Sequence, residues 1–256
     1  MSVVKFDLRK SLHDIYSPPV GDVELITPPR MKYIMVDGEG DPQGDSFQQA
    51  MGVLFGLAYT LKFRSRKQMK KDYNVMTPEG LWWFRGGGFD PSRRRDWLWT
   101  LMVVVPDFIT DSMFNEAKLE LREKKNPPGL DKARLESFDE GLCAQTMHLG
   151  PYSAESESIA RLETFAKAHG YRMVGKHHEI YLGDPRRPRP SKLRTILRHP
   201  LARTSRLPMM ERLANDSQSD ETSDCPIVGE PDLVCGVRGV PGDGKAYQRA
   251  AGSCRP

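Results

Sequence analysis

The chain has 256 residues, 38% hydrophobic and 9% aromatic, and a formal net charge of +4 from 38 basic and 34 acidic side chains. That is enough apolar material for one large domain or two small ones, and too little charge to force a nucleic-acid reading. A mean hydropathy of −0.55 and no apolar run near the ~18 residues of a spanning helix exclude a transmembrane segment, so no membrane partner is expected.

The N-terminus, Met1-Ser2-Val3-Val4-Lys5-Phe6-Asp7, lacks an apolar signal core. Residues 1–30 read as a leader ending in Pro28-Pro29. A strand over 32–37 follows and stops at Gly38-Glu39-Gly40-Asp41-Pro42. Phe47, Met51, Leu54, Phe55, Ala58 and Leu61 then form the apolar stripe of a helix. Strands come next at 81–84 and at 97–105, separated by a turn region at Gly86-Gly87-Gly88. A helical connector is expected over 112–125.

The same order then recurs: a strand over 142–147, a turn at His148-Leu149-Gly150-Pro151-Tyr152, a helix over 153–169, and strands at 176–182 and 192–199. In the second helix Ile159, Leu162, Phe165 and Ala166 point inward. Glu155 and Glu157 lie near its start, where the helix dipole favours acids, and Gly170 ends it. Composition changes near Pro200. Residues 201–256 hold one aromatic, Tyr247, and the polar run 215–224 has no apolar face to bury. Residues 202–256 are therefore expected to be a disordered tail. Of four cysteines, only Cys143 lies in the body, and no pair has C-x-x-C spacing. A reducing cytoplasm fits this usage.

The fold expected is α+β: a duplicated β-α-β-β module, over about 31–106 and 133–200. Its antiparallel sheet would carry helices on one face and a ligand cleft on the other. Side chains alternate along a strand, so His177, Glu179 and Tyr181 share one face and His178, Ile180 and Leu182 the other. The apolar pair Ile180 and Leu182 suits packing under a helix, which points Glu179 and Tyr181 into the cleft. By the repeat, Glu79 joins them beside Trp82, Trp83 and Trp99. Two carboxylates among aromatic rings can hold a cationic or hydrogen-bonding ligand, or act as general base and acid. Blander arrangements satisfy the same pattern. Glu79 after Pro78 can cap a turn, the tryptophans can be core, and Glu179 can pair with Arg194.

Other signals carry less. His177 and His178 are adjacent on a strand and point apart, so no metal site is expected. Gly86-Gly87-Gly88 lacks the Lys-Ser/Thr of a phosphate loop, and Cys143 has no evident base beside it. The basic clusters at 64–67, 93–95 and 186–189 read as solvated rims. No helix-turn-helix fits before the first strand, so no nucleic-acid partner is expected.

Four segments together resemble the GyrI-like small-molecule-binding proteins. They are Thr77-Pro78-Glu79-Gly80-Leu81-Trp82-Trp83, His148-Leu149-Gly150-Pro151-Tyr152, the run His178-Glu179-Ile180-Tyr181-Leu182-Gly183-Asp184-Pro185, and 192–198. The resemblance spans about 31–201. It implies a duplicated module of SHS2 type and a stand-alone domain that binds hydrophobic, flat aromatic molecules without a cofactor. The family's ligand-contacting acid falls on Glu179. The Glu-Gly-Leu-Trp-Trp segment is similar to a subgroup that includes cyclopropanoid cyclopropyl hydrolases, which detoxify DNA-alkylating natural products. In that subgroup the catalytic acids would map to Glu79 and Glu179. The ligand walls would be Trp82, Trp83, Trp99, Tyr152 and Tyr181. The alternatives it implies are a non-catalytic drug-sequestering protein and a regulatory partner of a gyrase-like enzyme.

Overall fold

The computed structural model describes residues 2–86, 93–183 and 190–204. The elements in chain order are β1 (Val4–Phe6), α1 (Leu8–Ser11), α2 (His13–Tyr16), β2 (Glu24–Ile26), β3 (Met31–Glu39) and α3 (Asp45–Arg64). A π turn (Ser65–Met69) leads to β4 (Lys71–Tyr73), β5 (Glu79–Trp83), β6 (Leu98–Val105), α4 (Asp111–Lys124), β7 (Ala133–Phe138) and β8 (Cys143–Leu149). Then come α5 (Ser156–Ala168), β9 (Tyr171–Met173), β10 (His177–Tyr181) and β11 (Arg194–Arg203).

The strands form a mixed-length sheet in the order β2-β8-β11-β10-β5-β6-β3-β7, with β9 added beside β11. All of its strand pairs are antiparallel. The order mirrors itself about the β10–β5 pair: β11 and β8 extend outward on one side, β6 and β3 on the other. This is the arrangement of two β-α-β-β units joined through their third elements. The last strand runs to Arg203, pairing Leu201 with Met173, so the ordered chain continues past the expected start of the tail. The rest of that tail, 205–256, the glycines at 87–88 and the basic cluster at 186–189 lie outside the described residues.

The helices of the two modules, α3 and α5, lie on one face, with α4 packed against α3. Along α3, Ala50, Val53, Leu54, Leu57, Ala58 and Leu61 pack on Trp82, Trp99, Leu101 and Val103. On α5, Leu162 packs with Ala144 and Leu197. Leu101 and Leu197 stand opposite Gly80 and Glu179 respectively, which places both helices on the side of the sheet that carries Glu179. α3 covers β3 and β6, and α5 covers β8, β9 and β11. The central strands β10 and β5 lie between them.

The opposite face, expected to be the open cleft, is covered by the leader. Ile15 and Tyr16 of α2 pack on Tyr33, Met35, Leu81, Met102, Met147, Ile180 and Ile196. The apolar Ile180 that suggested packing under a helix packs under this short one. Beneath the leader runs a buried polar chain. Tyr16 donates to Glu79. The other Glu79 oxygen is 3.0 Å from His178 Nε2. His178 Nδ1 is 3.0 Å from Glu140 Oε1. Arg198 donates to Glu140 at 3.2 Å, to Gln145 at 3.0 Å and to the carbonyl of Ile15 at 2.8 Å. Gln145 donates to Glu24 at 2.8 Å.

Burial alone would push the His178 imidazole down. The Glu140 charge and the hydrogen bonds with Glu140 and Glu79 outweigh it and raise His178 to about 9. Burial would push Glu140 up, but His178 and Arg198 hold it down to about 2. Charges removed from water this completely are stable only as a set.

The pH dependence follows from the signs. His178 is ordinarily near 6.5, so its contribution is whole below that pH and is lost as pH rises through about 9. Glu140 is ordinarily near 4.5, so its contribution is whole above that pH and is lost as pH falls toward 2. Urea melts across pH are expected to show a plateau between these limits and a decline on each side. Glu140→Gln is expected to cost about 3–5 kcal/mol by leaving Arg198 and His178 without their shared counter-charge.

Candidate functional site

The β10–β5 register decides where each expected residue goes. Glu179 lies opposite Gly80, and Ile180 opposite Glu79. Directly opposed residues emerge on the same side of a sheet. Glu79 therefore shares the leader face with His178 and Ile180, whereas Glu179 lies on the helical face with Trp82. The expectation that the two acids meet in one cleft is corrected here: the sheet itself stands between them. Trp83 is corrected for the same reason. It follows Trp82 on β5 and points to the leader face, where the Lys176 ammonium sits 3.6 Å from its ring centroid.

On the helical face a compact cluster forms over β10 and β5. Glu179 is 7% exposed. Its Oε2 accepts the Tyr181 hydroxyl at 2.8 Å, and His177 Nε2 lies 3.5 Å from its Oε1. The Tyr181 oxygen in turn accepts from Trp82 Nε1 at 3.0 Å. Arg194, the alternative ion-pair partner, is exposed and stands opposite Leu149 on the far side of β11. Burial first, and the Glu179 charge next, raise the Tyr181 phenol well above its ordinary value. It stays protonated and available as a donor at physiological pH.

The aromatic side chains form a row. Tyr152, in the turn before α5, meets Tyr181 edge-on at 5.7 Å. Phe47 of α3 stacks on Trp82 at 5.8 Å and meets Trp99 edge-on at 5.3 Å. Trp82 meets Trp97 at 5.0 Å. Trp99 is fully buried and donates to the Gly40 carbonyl at 3.2 Å, and Trp82 opposite it is 2% exposed. Two glycines make the layer possible. A Cβ at Gly38 would run into the Trp99 ring, and one at Gly80 would sit 2.8 Å from Trp82 Nε1 and 2.9 Å from the Tyr181 oxygen.

Three residues of this cluster were not anticipated. Phe47 was read only as helix core. His177 was set aside with the metal motif. Glu155, assigned to the helix dipole, is buried, and its charge adds to the upward shift of Tyr181. It is a second buried acid close enough to Tyr181 for its charge to be felt there. His177 and His178 point to opposite faces, as strand alternation requires; His177 faces His199, their ring centroids 5.7 Å apart. A cavity of about 600 Å³ lies beyond the Trp97 end of the row, lined by Phe84, Arg85, Arg95 and Trp97 among others, and does not include Glu179. No helix among the described residues is long and apolar enough to cross a membrane.

Residues 21–202 match the GyrI-like small molecule binding domain. The chain belongs to that family. Three solved structures from Listeria innocua are similar to it, each matched over 77% of this chain and 100% of the other. One is an uncharacterized conserved protein at 39% identity with a TM-score of 0.72. Two are described as hydrolases, at 38% identity with a TM-score of 0.71 and at 37% identity with a TM-score of 0.69. None of the curated proteins compared matches the chain.

Gly80→Ala is expected to break the Trp82–Tyr181 hydrogen bond by steric displacement. It should lower stability by about 1–3 kcal/mol and shift the tryptophan emission; thermal melts and fluorescence spectra check this.

Proposed function

We propose that the protein binds flat, hydrophobic small molecules between α3 and α5, and hydrolyses those that carry a reactive cyclopropane fused to a dienone. The observation that carries the reading is the nearly enclosed Glu179 carboxylate. It is held by Tyr181 in a layer of aromatic rings, on the two central strands that lie between α3 and α5. The hydrolase descriptions of relatives at 37–38% identity support hydrolytic chemistry. The cyclopropane substrate class rests on the sequence resemblance of the Glu79–Trp83 segment.

A planar substrate displaces the half-buried Tyr152 and Tyr181 from their mutual contact and stacks on the row, which fixes its strained carbon relative to Glu179. Glu179 takes a proton from water as the water oxygen bonds to the ring methylene. The carbon–carbon bond of the cyclopropane breaks, and its electron pair moves through the dienone to the carbonyl oxygen. That oxygen becomes a phenol by gaining a proton, with Tyr152 or Tyr181 as the donor that stabilises its developing charge. The proton held by Glu179 returns to the tyrosine, directly across the Tyr181–Glu179 hydrogen bond or through water to Tyr152, which restores both groups. Glu79, expected as the second catalytic acid, belongs instead to the polar chain under the leader.

The test is incubation with cyclopropane-bearing alkylators, followed by mass spectrometry. The expected product is the substrate plus one water. Glu179→Gln is expected to lower turnover by ~10²–10⁴-fold while ligand affinity changes little. Glu79→Gln is expected to lower the melting temperature and leave kcat of the folded fraction near that of the parent. Recovery of every compound intact, with tight binding, would make the protein a sequestering binder.

A further inference from the structure

Among the described residues, five of the most exposed large apolar side chains belong to one corner of the molecule. Tyr59 and Phe63 lie on the last turns of α3, at 48% and 58% exposure, and Met69 closes the π turn. Val3 and Val4 lie at β1, which pairs with β4 directly after that turn; Val4 donates its amide to the Lys70 carbonyl at 2.8 Å. The Tyr59 and Phe63 rings stack on each other at 6.3 Å.

The same stretch is strongly basic. Residues 59–71 hold six basic side chains and no acid. Lys62 and Arg64 are tied to Asp72 and to the Glu116 and Glu120 carboxylates. Arg66, Lys67 and Lys70 are exposed. Arg66 and Lys67 follow Phe63 by three and four positions, the spacing that sets them beside it on a helix.

We propose that this corner is a docking surface for an anionic lipid bilayer. Exposed aromatic and aliphatic groups ringed by lysine and arginine match an interface that is apolar below and negatively charged above. Val3, Val4 and Met69 offer no ring for stacking on nucleic-acid bases, so the apolar half of the patch favours lipid. The absence of a spanning segment, from which no membrane partner was expected, does not bear on a surface of this kind. The proposal is independent of the Glu179 site.

The experiment is flotation of the full chain with vesicles of pure phosphatidylcholine and of equimolar phosphatidylcholine and phosphatidylglycerol. Binding is expected to the anionic vesicles, to weaken as salt is raised, and to be slight on the neutral ones. Arg66→Gln with Lys67→Gln, and separately Tyr59→Ser with Phe63→Ser, are each expected to lower the partition roughly tenfold or more. All four side chains are on the surface, so the melting temperature and the ligand affinity at Glu179 should not move. No flotation at low salt, equal flotation on both vesicle types, or variants that float like the parent would overturn the proposal. So would retention on a DNA duplex, lost in the same variants, without vesicle binding.

Discussion

Residues that oppose each other across an antiparallel pair leave the sheet on the same side, and in this molecule that rule separates two kinds of chemistry. Because Ile180 faces Glu79 across β10 and β5, and Gly80 faces Glu179, one carboxylate is committed to each surface at the centre of the sheet. Shifting this register by one residue would set Glu79 opposite Glu179, both on one face, and would turn the side chains of one of the two strands inside out. Gly80 holds this register from both directions: it leaves room on the helical face for the Trp82 and Tyr181 side chains, and on β5 it stands between the buried Glu79 and Leu81.

The two surfaces are then finished differently. Under the leader, Glu79, His178, Glu140 and Arg198 are almost wholly removed from water and satisfied by one another, by Tyr16 and by Ile15. Such a set makes α2 part of the domain, since withdrawing the leader would take the Ile15 carbonyl from Arg198 and the Tyr16 hydroxyl from Glu79. On the helical face Glu179 is bonded to a neutral phenol and, among the described residues, has no buried arginine beside it. Glu179, Tyr181 and Trp82 form a short donor chain that ends on a carboxylate. A fully satisfied ionic network suits a scaffold. An acid without a cationic partner, set in an aromatic layer, suits a ligand.

Much of the architecture was legible in the sequence because it is carried by periodicity. The two helices, the strand runs between them and the repeat each leave a pattern of apolar positions, and the mirrored strand order is its product. The alternation along β10 was also legible: it separates His177 from His178 and Glu179 from Ile180. What it does not contain is which face the helices take, since both sides of β10 are apolar enough to be buried. That choice is made by the leader, whose α2 is only four residues long and leaves no periodic trace, yet supplies Ile15 and Tyr16. The pairing of Glu79 with Glu179 failed on strand offset. The sequence repeat suggests that they are equivalent, but the antiparallel crossing sets Glu79 opposite residue 180, on the other face. The same blindness hid Glu155, whose place at a helix start has an ordinary electrostatic explanation.

The account rests on ligand occupying the helical face. A crystal structure of the protein soaked with a flat, aromatic, unreactive ligand measures this directly. Density stacked on Trp82 between α3 and α5, with a polar atom within hydrogen-bonding reach of Glu179, is the result predicted. Density on the other face, displacing α2 and contacting Glu79, would contradict it.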